Sequence, residues 1–387
     1  MQPKHVKERI DELDIMRGMA FLAVVLQHAI GAYIRRPEIS LQEAAMLGIL
    51  FNLAKFAVPT FVLITGIVLF YNYYQKIHYA SFIRKRAVDI LIPYLIWSGI
   101  YMYYYHGLPT FDWTGMKGLV KELLSGTAAY HLWFVVMIFQ CYLVFPLYRW
   151  AAKRLEGKAR AQFWTILITC GLAYGALMWF SAVYIPTRKL HFDSRLLQVF
   201  LIDYRDRNFL YYSFYFIVGG VAGLALYRWR AFIRRSAIWN AGLFTLLFLI
   251  VGQALFATGG VNLNQSTSLK PSMFLYTLCE TMLLYGAARL IQAHHQRLFA
   301  VFSFIGNYSF GAYLVHAMVL NYVIAGLRKF VPWGSELGMT LLATLLAAAV
   351  SLALTKVISL LPYGKYAIGP FGKRVRQTAK KPVSEAA

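Results

Sequence analysis

Ten stretches of this chain are long and apolar enough to cross a bilayer, and little is left between them. They fall near residues 13–34, 45–73, 88–106, 130–149, 162–184, 209–227, 237–256, 272–292, 299–325 and 336–361. A hydrocarbon core of about 30 Å needs about 20 apolar helical residues, and only helices or closed barrels satisfy every backbone polar group in lipid. Composition agrees. The chain is 59% hydrophobic and only 14% charged, against about a quarter charged in soluble domains. The sequence therefore predicts an all-α, polytopic integral membrane protein. Its transmembrane domain occupies residues 1–362, and a basic tail follows over 363–387.

An even number of spans puts both termini on one side. With the N-terminus inside, 24 basic residues fall in inner segments and 12 in outer ones. The positive-inside bias thus predicts cytoplasmic termini. The net charge of +23 would suggest nucleic acid in a soluble protein. Here the bases sit in loops between apolar runs, so topology and anionic lipid explain them and no nucleic-acid partner is expected. Cys141, Cys170 and Cys279 all lie in predicted spans without metal-like spacing, so neither a disulfide framework nor a metal is expected. No A-x-A-like site follows the first apolar run, which reads as a retained span. Walker A, G-x-S-x-G and H-E-x-x-H motifs are lacking, and so are the internal repeats that point to many transporters.

The informative residues are the ionisable ones inside the spans, because each costs at least about 2.5–3.5 kcal/mol at bilayer depth unless it faces protein or water. Arg17 and His28 lie eleven residues apart in the first span. On a helix they return to within about 20° of one direction, separated by about 16 Å. Asp14 can pair with Arg17 at i,i+3. The same spacing also fits a structural arginine and an interhelical histidine. In the second span, Lys55 precedes Pro59, which should bend the helix and free a carbonyl; Lys55 fits either a polar site or snorkelling to the interface. Arg84, Lys85 and Arg86 form a basic cluster at an inner mouth, suited to phosphates or simply to the positive-inside rule. His131 and Trp133 open the fourth span as binding groups or as interfacial anchors. Glu280 is a mid-span carboxylate that needs a partner. Ser309, Tyr313 and His316 form one polar stripe on the ninth span, with Gly306 and Gly311 permitting close helix approach. Packing alone would also explain that stripe.

Five ordered stretches of the chain resemble the acyltransferase family 3 of membrane acyltransferases. ELDIMRGMAFLAVVLQH carries that family's R-x10-H pattern at Arg17 and His28, and VPTFVLITG is similar to its second-helix pattern with Thr65 where Ser is usual. FIRKRAVDILIPYLIW resembles its basic inner loop, HLWFVVMIFQCYLVFPL its fourth-helix signature, and IGNYSFGAYLVH its late S-x-x-x-Y-L-x-H signature. One departure is plain: Arg86 is followed at the R-x-x-R spacing by Asp89.

The resemblance implies transfer of an acyl group, typically acetyl, from cytoplasmic acyl-CoA to a hydroxyl of a cell-envelope glycan or glycolipid, in a bacterial plasma membrane. Acyl-CoA would be a donor substrate, not a resident cofactor. In that reaction His28 would be the general base. Arg17, with Arg84 and Arg86, would hold the donor, and Ser309 and Tyr313 would supply oxyanion donors. Glu280 would orient a base or a sugar hydroxyl. Lys55, His131, Trp133 and His316 are the substrate-side candidates. Membrane lipid and glycan-biosynthesis proteins are the expected partners. Two other readings use the same residues differently. One is a polysaccharide or lipid-linked-sugar exporter, and the other a structural partner of a glycan synthase.

Overall fold

The first helix, α1 (Glu12–Tyr33), runs through the centre of an all-helical bundle. The computed structural model of the protein describes residues 8–107, 112–256, 260–331 and 333–371; most of the predicted tail lies outside them. After α1 come α2 (Leu41–Leu53), α3 (Ala57–Tyr73), α4 (Tyr79–Arg86), α5 (Ile92–His106), α6 (Trp113–Ser125), α7 (Trp133–Arg154) and α8 (Arg160–Trp179). The short α9 (Ile185–Arg188) and α10 (Arg195–Gln198) lie in the long loop, followed by α11 (Ser213–Leu224), α12 (Leu226–Phe256), α13 (Pro271–His294), α14 (Gln296–Phe330), α15 (Glu336–Leu360) and α16 (Lys365–Ile368).

Eight helical runs among the described residues are long and apolar enough to cross a membrane. The two other predicted spans fall on shorter elements. Near 88–106 the chain makes a π-type turn over Ala87–Leu91 before α5, and near 209–227 a 3-10 turn leads into α11. Caps set several boundaries. Ser40 Oγ accepts the Glu43 N–H at 3.2 Å to start α2, and Ser335 Oγ accepts the Gly338 N–H at 3.0 Å to start α15. Gly126, at φ 68°, ends α6 in the left-handed region that L side chains avoid.

The second predicted span is two helices broken at residues 54–56. Proline has no N–H and its ring crowds the preceding turn, so Pro59 leaves the helix unable to close there. Carbonyls around the break find partners on other helices. Gln27 Nε2 donates to the Ala54 carbonyl at 2.5 Å, and the Tyr276 hydroxyl to the Asn52 carbonyl at 3.0 Å. Irregular backbone at membrane depth survives only with such partners.

Small residues let the central helices touch. A Cβ on Gly306 would stand 1.9 Å from the Asp14 carbonyl oxygen, so α14 lies directly on α1. A Cβ on Gly219 would stand 2.2 Å from the Leu63 carbonyl oxygen, which brings α11 onto α3. Ion pairs fix both ends of α1. The fully buried Glu12 takes Arg230 of α12 through Nε at 2.7 Å and Nη2 at 3.0 Å, and accepts the Tyr285 hydroxyl of α13 at 2.8 Å. Beyond the other end, Arg36 pairs with Glu336 of α15 at 2.8 Å.

Truncating Glu12 leaves Arg230 with Glu8, at 4.0 Å, as its remaining acidic partner, so Glu12→Ala is expected to cost about 3 kcal/mol, the low end of the penalty for breaking a buried pair from one side. A Glu12→Ala/Arg230→Met double variant should recover much of that loss. Thermal unfolding in detergent compares the two; equal melting temperatures for Glu12→Ala and wild type would show that the pair does not hold the bundle.

Candidate functional site

A cavity of about 570 Å³ lies between α1, α3, α7 and α14. Its mouth carries Arg9, Asp14, Arg17, Arg86 and Asn307; Phe134 and Tyr313 close its deep end. On α1 the i,i+3 spacing brings Arg17 Nη1 to 2.7 Å from Asp14, as the sequence predicts, and Arg9 Nη2 approaches the other carboxylate oxygen at 2.5 Å. Asp14 is nearly buried, while Arg17 and Arg9 keep 32% and 44% of their side chains exposed. One carboxylate thus sits between two partly exposed guanidiniums, and around the lining Arg9, Arg17 and Arg86 are balanced by Glu8, Asp14 and Asp89. Outside the spans, burial raises the Asp11 carboxyl above its usual value, against the pull of Arg9 at 3.3 Å.

Of the basic loop, the structure brings Arg86 to the cavity and not Arg84. Residues two apart on a helix diverge by about 200°, and Arg84 is exposed on the other side of α4. Arg86 donates to the Tyr73 hydroxyl at 3.1 Å and sits 5.4 Å from the Tyr142 ring centre. Asp89, at the departing position of the R-x-x-R spacing, lies 4.0 Å from Arg86 and also lines the cavity.

Beyond the deep end lies a separate cluster of three histidines. His316 is 5.3 Å from His28, ring centre to ring centre, and 4.7 Å from His131. Tyr313 stands between this cluster and the cavity, 5.3 Å from His131 and 5.4 Å from His316. Its hydroxyl donates to the His131 carbonyl. Backbone carbonyls fix the tautomers, because a carbonyl can only accept. His316 Nδ1 meets the Tyr313 carbonyl at 2.5 Å and so carries the proton, leaving Nε2 as a buried lone pair with no hydrogen-bond partner. His131 is the reverse: Nε2 donates to the Leu314 carbonyl at 3.4 Å, and Nδ1 is the buried acceptor. His28 is half-buried, with Tyr130 over it at 4.7 Å.

The remaining candidates divide. Ser309 lines the cavity, but its hydroxyl donates to the Gly306 carbonyl at 2.9 Å. Lys55, in the α2–α3 break, lies within electrostatic reach of both His28 and Glu280 and packs its Nζ 3.8 Å from the Phe51 ring centre. Glu280 is buried, with Oε2 unpaired. Trp133 stacks on Tyr212 at 6.0 Å and meets the Phe134 ring at 6.1 Å. Among the described residues no set of His, Cys, Asp or Glu could hold a metal ion. Sequence reasoning missed Arg9, Tyr142 and Asn307 in the cavity wall. Arg9 read as one of many inner-side bases, and the other two need the α7 and α14 packing to be seen.

The geometry orders the histidines by access. Diethyl pyrocarbonate, which acylates neutral imidazole, should modify His28 before His131 or His316 in the folded protein. Peptide mass spectrometry over a time course reads the order; equal rates at all three would contradict the buried positions of the last two.

A family model described as an acyltransferase domain matches residues 10–360 of this chain. A Bacillus subtilis (strain 168) protein, named provisionally as the membrane-bound acyltransferase YfiQ, is 23% identical over 325 residues, covering 82% of this chain and 83% of that protein. No solved structure matches.

Proposed function

Because this chain belongs to the acyltransferase family 3 and is a multi-pass membrane acyltransferase, we propose that it moves an acyl group, typically acetyl, from acyl-CoA to a hydroxyl of a cell-envelope glycan or glycolipid. One observation carries the reading. A single helix, α1, offers Arg17 to a cavity lined by three arginines at one end and a half-buried His28 beyond its floor. Phosphates want charge-assisted, forked donors, and Arg17, Arg9 and Arg86 supply them at the mouth. The apolar deeper wall, with Phe61, Ile138 and Tyr142, suits the arm and acyl end of the donor. By the basic-residue count, this mouth faces the cytoplasm.

His28 takes the proton of the acceptor hydroxyl as its oxygen attacks the thioester carbonyl. The carbon–sulfur bond breaks and His28 returns the proton to the leaving thiolate. Ser309 and Tyr313 flank the path between cavity and histidines. For either to stabilise the oxyanion, its hydroxyl must exchange the Gly306 or His131 carbonyl for the substrate oxygen. His131 and His316 support the acceptor end, and Lys55 with Glu280 orients groups near His28.

Proteoliposomes with acyl-labelled acetyl-CoA and crude envelope glycan test this. Label should reach glycan with wild type and not with His28→Ala; transfer at full rate by His28→Ala removes the base assignment. Losing a charged hydrogen bond of about 1.5–3 kcal/mol, Arg86→Ala should raise the KM for acyl-CoA about ten- to a hundredfold, while Arg84→Ala stays close to wild type. Equal effects from the two arginines would show that the donor does not use this cavity.

A further inference from the structure

A file of aromatic rings leads from His28 to the far end of the bundle. Tyr130 lies 4.7 Å from His28 and 5.5 Å from His131, and Tyr101 lies 5.2 Å from His131. Tyr105 follows 6.1 Å from Tyr101, Tyr104 5.0 Å from Tyr105, and Tyr322 of α14 5.9 Å from Tyr104. Tyr101, Tyr104 and Tyr105 share one face of α5 by their three- and four-residue spacing. The Asn321 side chain donates to the Tyr105 hydroxyl at 3.4 Å, tying the α5 and α14 sides together. Tyr101 is fully buried, but Tyr105, Tyr130 and Tyr322 are 42%, 49% and 62% exposed.

Tyrosines near span ends ordinarily serve as interfacial anchors. Anchors need only reach the headgroups, and Tyr103, 63% exposed on the opposite face of α5, fits that role. The file differs because, through the buried Tyr101 and His131, it connects the exposed rings to a catalytic candidate. Flat rings with phenol hydroxyls at their edges match one ligand chemistry well. Sugar rings present C–H faces that stack on aromatics and hydroxyls that bond to the rim.

We propose that this file is the acceptor track: a saccharide chain lies along Tyr322, Tyr104, Tyr105 and Tyr130, and Tyr130 presents one sugar hydroxyl to His28. The proposal rests on the reading of His28 as the transfer base, and it narrows the acceptor to a polymer or oligomer of sugars bound over several residues.

Full-length protein in proteoliposomes gives two independent readouts, with crude bacterial envelope glycan as probe. Retention of glycan by His28→Ala protein reads binding, and label transfer from acetyl-CoA reads turnover. Tyr104→Ala and Tyr105→Ala should each lower retention and raise the glycan KM about tenfold, with the KM for acetyl-CoA and the rate at saturating glycan unchanged. Tyr103→Ala should match wild type, and Tyr105→Phe, which keeps the ring and loses the hydroxyl, should fall between wild type and Tyr105→Ala. If Tyr104→Ala and Tyr105→Ala also match wild type, or the protein retains no glycan, the track is overturned. If glycan is retained through Tyr104 and Tyr105 but wild type moves no label, the track stands and the transfer reading fails; if His28→Ala moves label as wild type does, the base reading fails.

Discussion

An ionised carboxylate buried among apolar helices is unaffordable unless its partner arrives in good geometry, and Glu12 is where this bundle meets that demand. Both guanidinium contacts and the Tyr285 hydroxyl converge on it, which joins α1 to α12 and α13. At the opposite end Arg36 and Glu336 join the loop after α1 to α15. Held at both ends and pressed against Gly306, α1 has little freedom to slide or rotate. That rigidity is what gives the positions of Arg17 and His28 on one helix a fixed meaning.

The bundle keeps two chemical environments apart along that helix. The cavity below Tyr313 carries arginines and carboxylates at its mouth and is apolar inside. The cluster above it is made of imidazoles, Lys55 and Glu280. A site in which a phosphate-bearing donor and a hydroxyl acceptor arrive from opposite ends requires such a division. Phe134 and Tyr313 are the wall, and the hydrogen bond from Tyr313 to the His131 carbonyl is the contact that must open for the two sides to meet.

What the sequence revealed follows from what each feature depends on. Span positions need only hydropathy, so each of the ten predicted runs has a helical counterpart, although those near 88–106 and 209–227 are shortened by local turns. The Asp14–Arg17 pair is an i,i+3 contact and was legible for the same reason. Glu12 was not, because its partners are more than 200 residues away and its own neighbourhood looks like an ordinary acidic segment before a span. Arg84 and Arg86 look equivalent in a basic run, yet a helix sends them in different directions. His131 read as either a binding group or an interfacial anchor, and only tertiary packing reveals that it meets His316. Pro59 announced a disturbance, but whether a helix bends or breaks depends on what stands ready to receive the freed carbonyls.

That break also bears on the order in which the protein is assembled. Gln27 is synthesised before residues 54–56, so the Ala54 carbonyl can be satisfied as soon as α2 and α3 enter the membrane. Tyr276 belongs to α13, made long after, and until it inserts the Asn52 carbonyl has no partner from that helix. The early helices already bond that carbonyl through the Lys55 N–H at 3.1 Å, and α13 supplies a second donor later. The break between α2 and α3 is thus closed locally first, and α13 ties it into the bundle only afterwards.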